Sequence, residues 1–304
     1  MSHLIPFLKE YQHADALVRL LLSRGLIIDN PVKAEQYLKT ISYYRLSAYM
    51  HPLLQVPKSA NMFKPGSNFT QVMMMYRFDK KLRLFIFNEI EKIEVALRTA
   101  IVDECVSAFN DNFWITNASH FIDSSKFQKT LNLIRNEIGK SHEEFIVHFK
   151  QTYSNPYPPA WILVELLPLG VIVNVFYNLK DTQVKKRVAL RFGLQLRVFD
   201  SWLTILTLTR NACCHHARVW NKRNTLMPMN PRRVTHAWIT IPANPLRIYY
   251  DLCIIKYFLD TISPNNDMSL KLRNLLAAFP LVDPVPMGFP EGWENEELWN
   301  IESD

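Results

Sequence analysis

The strongest constraint on the fold is an apolar period of three to four residues that persists across 69–107. Val72, Tyr76, Leu82, Ile86, Ile90, Ile93, Leu97 and Ile101 recur at that spacing, with one longer gap. A half-buried strand needs alternation by two, so this stretch buries its apolar side as a helix. It is long for a globular helix, and a break or kink inside it is one expected outcome. The same period predicts helices over 14–23, 32–54 (one bent helix or two), 127–150, 160–179, 182–192, 197–215, 246–262 and 267–279. Pro57, Pro65 and Gly66 mark a loop, and Pro156, Pro158, Pro159, Pro242 and Pro245 precede later helices. Strand-like alternation is confined to 235–241. The expectation is an all-α chain in three parts: an N-terminal helical cap over 1–67, a helical core over 68–233, and a C-terminal helical segment with an acidic, Pro- and Trp-containing tail over 234–304.

Composition removes several function classes. A chain of 304 residues with 48% apolar and 21% charged residues can bury a sizeable core. Only 7 glycines are present, and no GxGxxG or GxxxxGK[ST] run occurs, which argues against a doubly wound nucleotide-binding fold. Cys105, Cys213, Cys214 and Cys253 form no CxxC pair, and the start, Met1-Ser2-His3, lacks the basic and apolar regions of a secretory signal. A reducing, cytoplasmic setting with free thiols is expected. The longest apolar run, 160–177, contains Glu165, Pro168 and Asn174, so it reads as a buried helix and no membrane span is expected.

Charge points to a polyanionic partner. The net charge is +7, yet residues 281–304 hold seven acids and no Lys or Arg, leaving +14 on the first 280. Between 182 and 233 there are eleven Lys or Arg against the single acid Asp200. Such density draws nucleic acid by steering and counterion release. Lys185, Lys186, Arg187, Arg191, Lys222 and Arg223 are the candidate RNA contacts. The plainer reading is a solvated basic face. The acidic tail is expected as a lid over that surface.

Inside the basic run lies Arg210-Asn211-Ala212-Cys213-Cys214-His215-His216-Ala217-Arg218-Val219-Trp220-Asn221. On a helix Asn211 and His215 share a face. Arg210 is about 140° around from His215, but its long side chain can bend to the same spot. Arginine grips a phosphate with a planar fork, and imidazole moves protons near neutral pH. Asn211 could orient either partner, and His216, Arg218 and Glu94 are candidate supports. No metal or cofactor is needed for RNA, because the neighbouring 2′-hydroxyl can be the nucleophile. The spacing itself recurs at Arg45/His51 and Arg135/His142, so the amide, the doubled histidine and the basic setting single this copy out. The plain alternative is a helix C-terminus favoured by cations. Cys213 to His216 cannot converge on one zinc ion, since consecutive helical residues point around the cylinder. Glu94 sits near the apolar face of the long helix. It could pair with Arg98, four residues on, or reach Arg210 or His215. Tyr43, Tyr44 and Tyr49 read as core more readily than as a base-stacking platform.

Several segments in order carry a resemblance to a known family. They are Tyr44-Arg45-Leu46-Ser47-Ala48-Tyr49; Tyr76-Arg77-Phe78-Asp79 with Leu82-Arg83 and Ile90-Glu91-Lys92-Ile93-Glu94; Pro159-Ala160-Trp161 with Glu165; the Arg210 block; and Gly288-Phe289-Pro290 with Trp293 and Trp299. The chain resembles the Abi-like abortive-infection proteins of the AbiD and AbiF kind, a branch of the HEPN superfamily. The resemblance implies a HEPN-like helical bundle and an Arg-x(4–6)-His ribonuclease motif mapping onto Arg210, Asn211 and His215. It also implies metal-independent cleavage leaving 2′,3′-cyclic phosphates, a homodimer pairing two motifs, and a cognate small structured RNA as a possible partner. Cys214 stands where a small residue such as Ala is expected. Two other readings stay open: a non-catalytic RNA-binding scaffold, and a helical protein-interaction module.

Overall fold

In the computed structural model of the chain, residue 6 and residues 10–300 are described; His3, Glu302 and Asp304 lie outside them. Among the described residues the fold is all-α, with twelve α-helices, short 3-10 turns, isolated bridges and no strand. It divides into two compact units, Met1–Lys81 and Leu82–Asp304.

The first unit holds α1 (Ala14–Ser23), α2 (Pro31–Ile41), α3 (Tyr43–Met50) and the opening turns of α4 (Phe69–Phe109). The 32–54 stretch is two helices because Ser42 turns left-handed at φ 69 and its hydroxyl accepts from the Arg45 N–H at 3.4 Å. The tyrosine stripe splits. Tyr49 is buried and donates to Asp79, whereas Tyr44 is 89% exposed. A reciprocal capping box starts α4: Gln71 N–H donates to Asn68 Oδ1 at 2.8 Å and Asn68 N–H to Gln71 Oε1 at 3.0 Å. From there α4 runs unbroken for 41 residues, about 60 Å.

In the second unit follow α5 (Ser124–Lys140), α6 (Glu144–Thr152), α7 (Ala160–Leu166), α8 (Leu169–Asn178), α9 (Thr182–Arg191), α10 (Leu196–Cys214), α11 (Ile248–Ile262) and α12 (Met268–Ala277). Two expected helices are each broken. The 127–150 stretch parts at Ser141, whose hydroxyl accepts from the Glu143 N–H at 3.2 Å. The 160–179 stretch parts at Leu167, extended at ψ 135 because Pro168 follows it. Helix α11 is buried on every side from Ile248 to Leu259 and packs on α10, which also meets α8 and α9. Phe199, Trp202 and Phe258 fill the α10–α11 seam. No helix among the described residues is long and apolar enough to cross a membrane.

Residues 235–241 form no strand. The Thr240 and Ile241 amides donate instead to Glu296, which is 4% exposed. The acidic tail therefore does not form a loose lid. Trp293, Leu298 and Trp299 are buried, Trp293 and Trp299 pack around Tyr249, and Arg273 of α12 donates to the Glu294 and Trp299 carbonyls. Gly288 anchors the start of this tail at φ 96, where a Cβ would lie 2.5 Å from Arg247 Cβ. Gly288→Ala should lose about 2 kcal/mol of stability, from left-handed strain plus overlap. Urea unfolding of the two proteins measures it, and an unchanged midpoint would contradict this packing.

Candidate active site

Three residues of the α10 end are set by one cap. The Ala217 N–H donates to the Ala212 carbonyl at 2.9 Å and the His216 N–H to the Cys213 carbonyl at 3.1 Å. These are the two bonds of a Schellman turn, with His216 in the left-handed position at φ 56. Glycine is the usual residue there. Histidine is tolerated better than a branched residue, but it carries strain. One turn earlier the His215 N–H donates to the Asn211 carbonyl at 3.0 Å, so the two residues stack on one face. His215 and His216 are exposed, and Asn211 and Arg218 are half-buried.

Arg210 is held from α4. Its Nε lies 3.4 Å from Glu94 Oε2, an ion pair that lacks hydrogen-bond alignment, and its guanidinium carbon sits 5.8 Å over the Phe87 ring. The other Glu94 oxygen accepts from Arg98 Nη2 at 2.5 Å, and Arg98 also donates to the Val164 carbonyl. Glu94 therefore pairs with both Arg98 and Arg210. Its side chain is 13% exposed, and two guanidiniums compensate the desolvated carboxylate. Arg83, three turns before Glu94 on the same face of α4, reaches the Ala217 carbonyl at 3.5 Å. Sequence reasoning gave Arg83 no role. Its i, i+4, i+11 relation to Phe87 and Glu94 was the available signal.

The six candidate RNA contacts divide. All but the half-buried Lys185 are exposed, but only Lys186, Lys222 and Arg223 are outside the contacts that follow. Lys185 donates to the Tyr177 carbonyl at 3.2 Å. Arg187 and Arg191 donate to Glu104 at 2.7 Å each, and Arg191 also to Asp103 at 2.9 Å. Burial works to raise the Glu104 carboxyl's pKa, but these two arginines outweigh it and hold it below its ordinary range. This cluster is ten residues along α4 from Glu94, so about 15 Å from the Arg210 contact. Among the described residues no three His, Cys, Asp or Glu side chains group to hold a metal ion.

Beyond the motif the chain makes a second left-handed turn at Asn221, φ 47, whose carbonyl oxygen Oδ1 accepts from Arg247 at 3.4 Å. Val219 and Trp220 are buried between the two turns. This returns Asn224 to α11, where its amide donates to both oxygens of Asp251 at 3.1 and 2.9 Å, while the Thr209 hydroxyl donates at 2.9 Å. Asp251 is 1% exposed; burial pushes its carboxyl up to about 7, against the lowering effect of Thr209, Asn224 and Lys222. Nothing in the sequence distinguished this aspartate.

The end of α10 thus carries an arginine paired to Glu94, a half-buried amide and two exposed histidines. The pattern of the family described as Abi-like protein matches residues 36–221, more than half of the chain and the whole of this motif. The chain belongs to the Abi-like family, which points to abortive infection, a defence against phage. No curated protein and no solved structure matches it.

Two outcomes follow from this geometry. His216→Gly should be more stable than His216→Ala by about 1 kcal/mol, because only glycine enters the left-handed region without strain; equal thermal midpoints would refute the cap. For Asp251 the folded value is raised, so the native state keeps a proton that the unfolded chain releases near pH 4. The stability this confers is full below about pH 4 and is lost as pH rises through about 7. Between pH 5 and 8 the wild type should lose about 3 kcal/mol relative to Asp251→Asn. Parallel stability curves for the two would show that the group is not protonated in the fold.

Proposed function

We propose that this protein is a HEPN-type endoribonuclease that acts in phage defence, toxic to its own host when released. The observation that carries the reading is the Arg210 guanidinium, fixed by Glu94 and Phe87 one turn from the exposed His215. Arg210 uses its remaining N–H groups on the scissile phosphate, stabilising charge that grows in the transition state. The 2′-oxygen attacks phosphorus as its proton leaves, the bond from phosphorus to the 5′-oxygen breaks, and that oxygen gains a proton. The products are a 2′,3′-cyclic phosphate and a free 5′-hydroxyl. His215 serves one of the two proton transfers, and Asn211 orients the imidazole or the ribose. No metal is needed, because the nucleophile is part of the substrate.

A single imidazole cannot be base and acid in the same turnover without exchange. A homodimer with two facing motifs supplies both. His216 sets the backbone turn, and Arg218, Lys186, Lys222 and Arg223 hold flanking phosphates of the substrate or of a cognate structured RNA.

The test is cleavage of total RNA in EDTA by wild type, His215→Ala and Arg210→Ala, with end-group analysis and a parallel binding assay. Wild type should leave cyclic phosphates, and each variant should fall at least about 100-fold while still binding RNA. Undiminished cleavage by His215→Ala would overturn the mechanism. Binding without cleavage by any form would favour the scaffold reading.

A further inference from the structure

The chain that follows the motif lies along α10 as a strap. Asn224 and Thr209 meet on Asp251, Leu226 lines one cavity with Ile205 and Leu208, and Met229 exchanges hydrogen bonds with Ser201 and Trp202. These contacts step back from residue 209 to residue 201, so 222–230 runs antiparallel to the helix that ends in His215. Ser201 lies about 20 Å along α10 from His215. Residues 222–246 form no helix or strand. So long an irregular segment is uncommon in a compact fold and is usually functional. It is also firmly held. The Met229 N–H donates to the Ser201 hydroxyl at 2.8 Å, Trp202 Nε1 to the Met229 carbonyl at 2.9 Å, the Tyr250 hydroxyl to Asn230 Oδ1 at 3.2 Å, and the Thr235 N–H to the Tyr257 hydroxyl at 3.2 Å.

The strap shows solvent charge of one sign, with apolar side chains between. No Asp or Glu stands between Asp200 and Asp251. Lys222 and Arg223 are exposed beside the motif. Arg232 and Arg233 are exposed at the far end, between the anchors at Asn230 and Thr235, and make no ion pair among the described residues. Arg197 borders one depression with Met227 and Asn230, but Asp200 lines it too. The unopposed charge at that end is therefore on Arg232 and Arg233. Between the two basic pairs Leu226 and Met227 are 47% and 66% exposed, next to the half-exposed Leu208. Single-stranded RNA fits this order. Its phosphates meet the cations, and its unpaired bases offer faces to leucine and to a thioether, which contacts rings favourably. A duplex hides those faces.

Resting on the ribonuclease reading, we propose that residues 222–233 are a track for single-stranded RNA. A strand held at Arg210 and His215 continues along the strap with bases against Leu226 and Met227, and Arg232 and Arg233 grip a second group of phosphates about 20 Å away. The family pattern ends at residue 221, so the whole track lies beyond it.

Fluorescence anisotropy of the full chain with 2′-O-methyl oligonucleotides tests this with cleavage blocked, because the nucleophilic 2′-hydroxyl is capped. A single-stranded dodecanucleotide should bind at least about tenfold tighter than a trinucleotide, which is too short to span from His215 to Arg233, and tighter than a duplex of its own length. Arg232→Ala combined with Arg233→Ala should weaken the dodecanucleotide at least about tenfold, lower its salt slope by about 1.4, and leave the trinucleotide unchanged. Leu226→Ser combined with Met227→Ser should remove the preference for single strand over duplex. Far-UV circular dichroism matching wild type verifies that both variants fold. Equal binding of the two lengths by wild type would overturn the track, and so would an arginine loss that is the same for both lengths. Tighter binding to phosphatidylserine vesicles than to any RNA would overturn it in favour of a membrane surface. Cleavage of total RNA in EDTA reports on the ribonuclease reading separately. Length-dependent binding through Arg232 and Arg233 without cleavage by any form would support the track and overturn that reading.

Discussion

The Glu94 carboxylate is the interaction on which the second unit's site depends. An acid on the apolar side of a long helix is unfavourable alone. Here one oxygen faces Arg98 and the other Arg210, and Arg98 continues to the Val164 carbonyl. One buried charge thereby ties α4, α7 and α10 together. Removing it would leave two guanidiniums without their counter-charge, one of them only 9% exposed. The same contact limits what Arg210 can do for a phosphate. Glu94 offsets part of its charge, and the C-terminus of α10 contributes partial negative charge of its own. On the proposed reading, Arg210 would orient a phosphate more than supply affinity for it.

Cations free of a carboxylate partner are fewer than the basic run implies. Sequence reading of 182–233 sums charges that the fold pairs off: Arg187 and Arg191 close on Asp103 and Glu104 of α4. Their partners are more than eighty residues earlier in the chain, so no local window shows the cancellation. Lys186, Arg197, Lys222, Arg223, Arg232 and Arg233 remain exposed, and Lys222 and Arg223 follow the motif directly.

Local physics was legible in the chain and distant partners were not. The α4 period and its Asn68-x-x-Gln71 box are both local, and α4 forms across the whole predicted span. Pro168 was equally visible, yet the strength of the apolar run masked its restriction on Leu167. Residues 235–241 alternate like a strand, but their amides are claimed by Glu296, 56 residues on. Glu94 had a visible partner at i+4 and an invisible one on α10. The helix end at the motif was legible as an alternative, but the left-handed turn at His216 carried no glycine to announce it.

The residues after that turn explain why the motif continues past its histidines. Val219 and Trp220 are buried, Asn221 turns left-handed against Arg247, and Gly288 leaves room for the Arg247 stem. This chain of contacts delivers Asn224 to Asp251, and Asn224 is then pinned by its own N–H to the Leu246 carbonyl at 2.8 Å. The family match ends at residue 221, so it contains the clamp, the turn and the histidines but not Lys222, Asn224 or Asp251.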